Sequence, residues 1–520
     1  MWKPNKNEYK KQRRFCLEME YKRIKRVGEG TYSDVFSTKK EKNMAAMKIY
    51  KTSTWNGISV DVIREIATLQ TVSSAYIVSL LDMDYVNFSY IILPLYETNL
   101  HLYLHSVRPS EECIQYIFHK ICLGIYALHS RGIIHRDLKP SNICISHALD
   151  KLEVVLIDSG MARKEYYQGD KTAKVTSIWY RAPEVVCNYT LYSFPIDIWA
   201  AGCMLAEMYR GKALFPASSE LELIDLQTRY VGIPRDLPFS CLVIGSEEGK
   251  LQRECALAQA SCASACSPLL LLLQGMLNFN PNKRYSIATC LNSTYFSNFD
   301  TSIVESEIEY SKYLEQWKSE KTYLNNCVNS EISFLTRRQM VCWMYDLCQH
   351  YDIPDSSYFI SVLILDFFSI SHTDIKQNNY PLVVMASLLI GTKLDSKCPL
   401  TSVEIVDFCE ETGQQQFTVD QLFTFEKIVL KEVTLNFPNF QNYEYLFRDM
   451  NISSYLIMST LYPEYLKHRF VILVQVLLCI KLDTIPNLQD PEIVSCYDDV
   501  RGWLDDYLIH PIKPTNHLFF

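Results

Sequence analysis

The chain of 520 residues contains no apolar run of about 18 residues, the length that a helix needs to cross a bilayer. Its most apolar stretches, SPLLLLLQGML (267–277) and FVILVQVLLCI (470–480), are shorter, and we expect buried helices there. The first residues also lack the apolar core of a secretory signal peptide. These absences predict a cytoplasmic or nuclear protein without a membrane partner.

Paired cysteine motifs are also missing. The 18 cysteines show no CxxC spacing, and the loose cluster of Cys255, Cys262 and Cys266 has no histidine nearby. Without ligand spacing, free thiols are the simpler interpretation, so the sequence predicts neither a disulfide framework nor a zinc site.

Charge is unevenly distributed along the chain. Residues 1–300 carry 35 Lys and Arg against 30 Asp and Glu, whereas residues 301–520 carry 16 against 29, which makes the overall −8. Halves of opposite net charge suggest two domains that attract each other, and neither half has the pattern of a nucleic-acid-binding protein. The basic start, residues 1–20, is expected to be an extension that is either a solvated tail or a nuclear localisation signal.

A series of short motifs runs through the first 300 residues. A glycine-rich stretch, VGEGTYSDVF, could bring the backbone close to a phosphate, because glycine has no side chain. It is followed, in this order, by AAMKIY (45–50), HRDLKPSN (135–142), DSG (158–160) and WYRAPE (179–184). The set resembles the catalytic domain of eukaryotic protein kinases. The resemblance implies an α+β bilobal kinase fold over 21–298, with an N-lobe at about 21–96 and a C-lobe at about 97–298.

The resemblance also implies a chemistry. Phosphoryl transfer needs positioning and charge neutralisation, and its implied cofactors are ATP and Mg²⁺. Asp137 would orient the substrate hydroxyl and accept its proton, and Lys139 would neutralise the γ-phosphate, as in serine/threonine kinases. Asn142 and Asp158 would bind the metal.

Other residues are implied to hold the nucleotide. Lys48 would contact the α- and β-phosphates and pair with Glu65. The remaining implied ATP-binding residues are Gly28, Gly30, Val35, Ala46, Leu93, Tyr96 and Cys144.

The stretch GISVDVIREIATLQ (57–70) resembles the regulatory helix of cyclin-dependent kinases, as do GEGTY and IDIWAAGCMLAEM (196–208). In that family a cyclin pushes this helix inward, so that its glutamate meets the lysine. Ile58, Val60 and Ile63 widen the apolar surface beyond one helical face, and we expect a docking face there.

The same resemblance implies phosphorylation sites. Thr172 would be the activating site, although an ordinary loop threonine is the alternative. Inhibitory sites would lie at Thr31 and Tyr32. The phosphate on the activating site would be caged by three arginines, namely Arg64, Arg136 and Arg163.

Two residues depart from the family pattern. Ser33 replaces the third glycine of the loop, and Ser159 replaces the phenylalanine of DFG. In the family that phenylalanine packs between the regulatory helix and the histidine of HRD, here His135. We therefore expect an underfilled slot beside Ser159 and an active conformation that depends more on its partner.

The second half is predicted to be helical. Residues 299–332 are polar and are predicted to form a linker with a helical middle, and residues 333–437 contain five apolar helical segments. Arg337, Trp343 and Asp366 match the framework of a cyclin box, so this region resembles an all-α cyclin fold; the alternative is a generic helical bundle. Residues 438–520 resemble a truncated second cyclin-like repeat.

The cyclin resemblance implies specific contacts with the kinase half. Lys393 and Glu426 would bond the backbone around the regulatory helix, and Ile63 would enter the cyclin surface. The cyclin domain would then be an intramolecular partner that never leaves.

These features lead to one principal hypothesis and alternatives. The chain would be a serine/threonine kinase that its own cyclin domain activates, that prefers a proline after the target residue, and that acts in cell-cycle or transcriptional control. Arg181 of WYRAPE motivates the proline preference, and Thr172 implies an upstream activating kinase. Ser33 and Ser159 motivate the alternative of a pseudokinase–cyclin scaffold that binds cell-cycle regulators. A third arrangement exchanges cyclin domains between two chains.

Overall fold

The computed structural model covers most of the kinase and cyclin regions. The residues that it describes are 21–29, 33–41, 43–51, 57–84, 88–148, 151–164, 177–189, 192–232, 267–299, 332, 334–372, 375–396, 398–412 and 417–436. The expected extension (1–20), all but the edges of the expected linker (299–332), and the expected second repeat (438–520) lie outside the described residues. Within the described residues, no helix is long and apolar enough to span a bilayer.

The N-lobe is built on an antiparallel sheet of five strands in the order β1-β2-β3-β5-β4. Its strands are β1 (Lys22–Glu29), β2 (Ser33–Lys40), β3 (Asn43–Tyr50), β4 (Asp82–Met83) and β5 (Tyr90–Leu93).

Strand β3 shows how the two faces of this sheet differ. Side chains alternate along a strand, so Ala46, Lys48 and Tyr50 share one face, and all three are buried. Met47 lies on the opposite face, where it packs in a separate small apolar cluster with Ile92. The charged Lys48 is therefore placed on the face that looks towards the rest of the kinase.

One helix, α1 (Val60–Thr71), crosses the N-lobe sheet. Gly57 precedes it with a positive φ of 75°, a backbone conformation that glycine adopts readily, and lies in the bend before the helix. Every residue from Val62 to Leu69 is buried, so the helix is covered on all sides rather than on one. Such burial requires a partner on its outer face.

The C-lobe is mostly helical. Its strands are β6 (Thr98–Asn99), β7 (Ile133–Ile134), β8 (Ile143–Ala148), β9 (Lys151–Leu156) and β10 (Arg163–Lys164). Its helices are α2 (Leu100–Ser106), α3 (Glu111–His129), α4 (Pro183–Val186), α5 (Pro195–Arg210), α6 (Glu220–Val231), α7 (Pro268–Met276) and α8 (Ile287–Leu291).

The C-lobe core supports the loop between β7 and β8. Helices α3 and α5 pack on each other and present continuous apolar surface, including the fully buried Trp199. A polar cap begins α3, where the hydroxyl of Ser110 accepts a hydrogen bond from the Cys113 N–H. The loop between β7 and β8 therefore rests on a rigid base.

The cyclin region forms five helices, as expected. They are α9 (Phe334–His350), α10 (Asp355–Ser371), α11 (Tyr380–Asp395), α12 (Ser402–Glu411) and α13 (Val419–Asn436). Helix α11 is buried almost throughout and packs against α9, α10 and α13, as the central helix of a bundle must.

Local polar contacts define the ends and the register of this bundle. Thr401 and Glu404 form a reciprocal capping box that starts α12. The Arg337 Nη2 atom lies 2.6 Å from the Asp366 Oδ2 atom, which ties α9 to α10 in the interior. Trp343 packs against Phe408 with ring centroids 5.9 Å apart.

Candidate active site

Lys48 forms the centre of a buried ion cluster between the lobes. Its Nζ atom lies 2.7 Å and 2.8 Å from the two carboxylate oxygens of Glu65 on α1. The same Nζ atom lies 2.7 Å from the Asp158 Oδ1 atom of the DSG turn. A single lysine therefore joins the sheet, the helix and the DSG turn, and α1 is in its inward position.

Burial and the neighbouring charges pull the pKa values of this cluster in opposite directions. Burial favours the neutral lysine, but the carboxylates of Glu65 and Asp158 outweigh it and raise the pKa of Lys48. Burial raises the pKa of the Glu65 carboxyl, and Lys48 offsets only part of that effect. Burial would also raise the pKa of Asp158, but Lys48 reverses this and lowers it. Lys48 thus stays charged, and Asp158 stays ionised.

Asn142 and Asp158 fit a divalent cation. The Asn142 amide nitrogen donates to the Asp137 backbone oxygen at 2.8 Å and to the Asp137 Oδ2 atom at 3.2 Å. These bonds direct its amide nitrogen to protein acceptors, so its oxygen is available as a ligand. The Asp158 side chain is 44% exposed towards the cleft, with only its Oδ1 atom bonded to Lys48. Carboxylate and amide oxygens are the ligands that Mg²⁺ prefers.

Asp137 is surrounded by donors. Its Oδ2 atom lies 2.6 Å from the Lys139 Nζ atom. Its Oδ1 atom accepts hydrogen bonds from the Ser177 backbone N–H at 3.1 Å and from the Ser177 hydroxyl at 3.3 Å. These contacts fix the carboxylate in one orientation, as a proton acceptor requires.

Asp197 on α5 supports the catalytic loop from the C-lobe core. It is 1% exposed, and its two oxygens accept the backbone N–H groups of His135 and Arg136 at 2.8 Å and 2.9 Å. Its Oδ2 atom also lies 2.9 Å from the His129 Nε2 atom. Arg136 has a positive φ of 67°, and this anchoring holds that strained backbone in place.

Several of the predicted nucleotide-binding residues lie on adjacent strands of the N-lobe sheet. Val35 on β2 pairs with Lys48, and Ala46 on β3 pairs with Leu93 on β5. Cys144 lies below them on β8, where burial raises the pKa of its thiol to about 12.

Other predicted loop residues are placed only in part. Gly28 is the penultimate residue of β1 and lies opposite Val35, while Gly30, Thr31 and Tyr32 lie outside the described residues. Tyr96, beyond β5, is half-buried, and burial raises the pKa of its hydroxyl.

Ser159 occupies the position of the expected gap. It is 5% exposed in the short 3-10 turn Ser159–Met161, which packs against α1. Its hydroxyl has no hydrogen-bond partner among the residues that the structure describes. A buried hydroxyl without a partner weakens this contact, because its lost hydration is not replaced.

The predicted phosphate cage is seen only in part. The Arg64 Nη2 atom donates to the Ser396 backbone oxygen of the cyclin region at 2.8 Å. Arg136 donates through Nε to the Met161 oxygen at 2.7 Å and through Nη1 to the Tyr192 hydroxyl at 3.0 Å. Thr172 and the side chain of Arg163 lie outside the described residues.

The cyclin helices α11 and α13 bind the chain just before α1. The Lys393 Nζ atom donates to the Ile58 backbone oxygen at 2.9 Å, and the Ile58 backbone N–H donates to the Glu426 Oε2 atom at 3.1 Å. Lys393 and Glu426 also pair with each other, and their side chains are 3% and 0% exposed. A Cβ atom at Gly57 would lie 2.3 Å from the Glu426 Oε2 atom, so only glycine fits there.

The predicted contact residue Ile63 lies on α1 and is 2% exposed. Helix α1 packs against both α11 and α13, so the outer side of α1 is covered by the cyclin region. This packing accounts for the excess of apolar residues in the stretch.

Sequence reasoning missed three residues that the structure brings into this region. Tyr50 donates its hydroxyl to the Glu65 Oε2 atom at 2.9 Å, Ser177 bonds Asp137, and Ser396 accepts from Arg64. Only Tyr50 had a detectable signal, because it lies two residues after Lys48 on the same face of β3.

Comparison with known proteins places both regions in families. Residues 21–296 match the family model described as protein kinase domain, and residues 307–437 match that of the cyclin N-terminal domain. A probable CTD kinase subunit alpha homolog of Encephalitozoon cuniculi is 30% identical over 296 residues, which cover 55% of this chain and 87% of that protein.

Two further relatives resemble the kinase region. Cyclin-dependent kinase B1-1 of Arabidopsis thaliana is 32% identical over 314 residues, which cover 54% of this chain and 98% of that protein. Mitogen-activated protein kinase sty1 of Schizosaccharomyces pombe is 33% identical over 297 residues, which cover 54% of this chain and 82% of that protein. The chain therefore belongs to the protein kinase family, as a serine/threonine kinase of cyclin-dependent type followed by a cyclin N-terminal domain.

Proposed function

We propose that this kinase is activated in cis by its own cyclin domain. The observation that carries the proposal is the position of α1. On one side its Glu65 reaches Lys48 at 2.7 Å, and on the other side the cyclin residues Lys393 and Glu426 bond the Ile58 backbone that leads into it. The cyclin contacts therefore hold the helix that supplies the glutamate of the nucleotide site.

Lys393 and Glu426 form a clamp on the Ile58 backbone. This clamp consists of directional hydrogen bonds and not of apolar contacts alone. Lys393 and Glu426 are both buried, so each would be costly without its partner, and each also satisfies one polar group of the Ile58 backbone. Releasing α1 would separate the Ile58 backbone N–H and oxygen from these partners and would leave Lys393 and Glu426 paired only with each other. This mutual satisfaction favours the inward position.

The site residues suit transfer of a phosphoryl group from ATP to a hydroxyl. Lys48 would bind the phosphates, Asn142 and Asp158 would hold Mg²⁺, and the bound metal would supply charge neutralisation. Asp137 would accept the proton of the substrate hydroxyl, while Lys139, 2.6 Å from it, would shield the charge that develops.

The proposed substrates are proteins with serine or threonine followed by proline. The relationship to cyclin-dependent kinases supports this preference, and so does Arg181, which is buried and held 2.7 Å from the Glu220 Oε1 atom. Phosphorylation of Thr172 by an upstream kinase belongs to the same proposal.

The proposed role is in cell-cycle or transcriptional control, in the cytoplasm or the nucleus. The similarity to a cyclin-dependent kinase and to a probable CTD kinase subunit supports this range of roles.

The test is phosphate transfer from Mg·ATP to paired Ser-Pro and Ser-Ala peptides. We expect the full chain to be active with a preference for Ser-Pro, and both the 1–300 fragment and full-length Asp158→Asn to be inactive. A 1–300 fragment as active as the full chain would contradict activation in cis. Equal use of both peptides would contradict the proline preference.

The second candidate is a scaffold without catalysis, which is favoured by the hydroxyl of Ser159, buried with no partner among the residues that the structure describes. It predicts that the full chain transfers no phosphate even when Thr172 is phosphorylated. The intact cluster of Lys48, Glu65 and Asp158 supports the kinase instead.

A further inference from the structure

Tyr50 places a phenol hydroxyl inside the ion cluster. It follows Lys48 by two residues on β3, so both side chains leave the same face of the sheet. The Tyr50 side chain is buried, with 7% of the residue exposed, and its hydroxyl donates to the Glu65 Oε2 atom at 2.9 Å. Glu65 is therefore held by two residues of one strand.

Glu65 needs this second donor because Lys48 is shared. The Lys48 Nζ atom lies as close to Asp158 as to Glu65, at 2.7 Å in both cases. Two carboxylates compete for one ammonium group, so Lys48 cannot neutralise both of them. A donor that contacts Glu65 alone tips this competition towards the inward position of α1.

The DSG turn, which packs against α1, adds little to the stability of the inward position of this helix. Ser159 packs there with a small side chain, and its hydroxyl has no partner among the described residues. The apolar side chain that this position has in the related kinases is missing, so α1 depends more on polar contacts.

We propose that Tyr50 is a positioning residue that fixes Glu65 against Lys48 and so holds α1 inward from the kinase side. The cyclin clamp bonds the backbone of Ile58, just before the helix begins. Tyr50 bonds the helix seven residues later, at the side chain of Glu65. The two restraints are therefore independent in position and in chemistry.

This role has a consequence for the pH dependence of catalysis. The groups that face Glu65 are Lys48 and Tyr50 from β3 and Asp158 from the DSG turn. The Tyr50 hydroxyl stabilises the ionised carboxylate, so its removal raises the pKa of Glu65 further. Only the ionised carboxylate pairs with Lys48. On acidification, the variant would therefore lose its activity at a higher pH than the wild type does.

The test uses full-length Tyr50→Phe, which keeps the ring and removes the hydroxyl. We expect kcat to fall roughly tenfold with the peptide KM unchanged. The acid limb of the profile of kcat/KM against pH should move to higher pH, because the carboxylate of Glu65 has lost a donor that stabilises it.

Two further variants separate positioning from general damage. Tyr21→Phe removes a comparable bond, from the Tyr21 hydroxyl to the Asp82 Oδ2 atom at 3.1 Å, on the other face of the same sheet, and should keep the wild-type profile. In a Glu65→Gln background, Tyr50→Phe should cause no further loss.

Several outcomes would overturn the proposal. These are a Tyr50→Phe variant with the wild-type kcat and acid limb, or an equal loss of kcat in the Glu65→Gln background. The inference rests on phosphoryl transfer by this chain, but not on activation in cis. A fully active 1–300 fragment would refute the latter and leave the expected effect of Tyr50→Phe unchanged.

Discussion

At the scale of single residues, the cleft is short of positive charge. Lys48 faces the two carboxylates Glu65 and Asp158, so this cluster keeps a net negative charge, while Asp137 and Lys139 balance each other. A triphosphate would add more negative charge. We therefore expect the cleft to bind a nucleotide favourably only together with a cation, for which the ionised Asp158 would be a ligand.

The buried hydroxyl of Ser159 leads to a prediction about stability. Ser159→Ala should raise the free energy of unfolding by about 1 kcal/mol, because it removes a buried hydroxyl that has no partner among the described residues. Urea titration of the full chain measures this. In the matched variant Ser387→Ala, a buried hydroxyl that donates to the Val383 oxygen at 2.8 Å is lost, and stability should fall by a similar amount. If the free energy of unfolding of Ser159→Ala also falls, the hydroxyl of Ser159 does have a hydrogen-bond partner.

His119 on α3 predicts an acid-sensitive component of stability. It packs beside Phe296 and Phe299 and is 4% exposed, and burial lowers its pKa from 6.5 to about 4. The folded state keeps this imidazole neutral, so its contribution is complete above pH 6.5 and is lost as the pH falls towards 4.

The measurement is the free energy of unfolding of the wild type and of His119→Gln at pH 7.5 and pH 4.5. The wild type should lose about 2 to 3 kcal/mol more than the variant between these pH values. Equal losses in the two proteins would show that His119 is protonated in the folded state.

At the scale of elements, α1 acts as the link between the two domains. It is buried on both sides, between the β3 strand and DSG turn of the kinase and the helices α11 and α13 of the cyclin region. A helix in this position cannot move outward while Lys393 and Glu426 hold the Ile58 backbone. In the proposed activation in cis, the position of α1 and the docking of the cyclin domain would be one equilibrium.

The buried pair of Lys393 and Glu426 should separate stability from activity. Lys393→Met should cost about 3–5 kcal/mol, because it leaves the Glu426 charge buried without compensation. Lys393→Met with Glu426→Leu should recover a large part of that stability. In both variants kcat should stay low, because the Ile58 backbone oxygen has lost its donor Lys393.

The matched control is the buried pair of Arg337 and Asp366, which lies inside the cyclin bundle. Arg337→Met with Asp366→Leu should keep the wild-type kcat. Recovery of full activity in the Lys393 and Glu426 double variant would contradict the linking role of α1. Urea titration and peptide phosphorylation together give both quantities.

Motif spacing predicted the elements that carry chemistry better than the contacts between them. The motifs around Lys48 and Asp137 could be read directly, because phosphoryl transfer needs fixed residue types in a fixed order. The start of α1 was set too early, at Gly57 instead of Val60, because apolar spacing does not show the positive φ at Gly57. The bond from Tyr50 to Glu65 could not be predicted, since no local pattern pairs a strand tyrosine with a helix 15 residues away.

At the scale of the whole molecule, the two halves carry opposite net charge. Long-range attraction of this kind speeds docking and depends on salt, whereas the contact at α1 is buried and depends on geometry. Covalent linkage adds a third effect, because it raises the effective concentration of the cyclin domain to about the mM range. We therefore expect a cyclin domain in the same chain to stay docked under conditions in which a free cyclin would dissociate.

The measurement that tests activation in cis most directly is the specific activity of the full chain as a function of its concentration. A protease site inserted between residues 301 and 331 provides the matched sample, in which the same domains are separated by cleavage. We predict that the specific activity of the uncut chain is constant on dilution, and that the activity of the cut sample falls as its domains dissociate. A specific activity of the uncut chain that rises with concentration would contradict the account, because it would show that the cyclin domain acts on another chain.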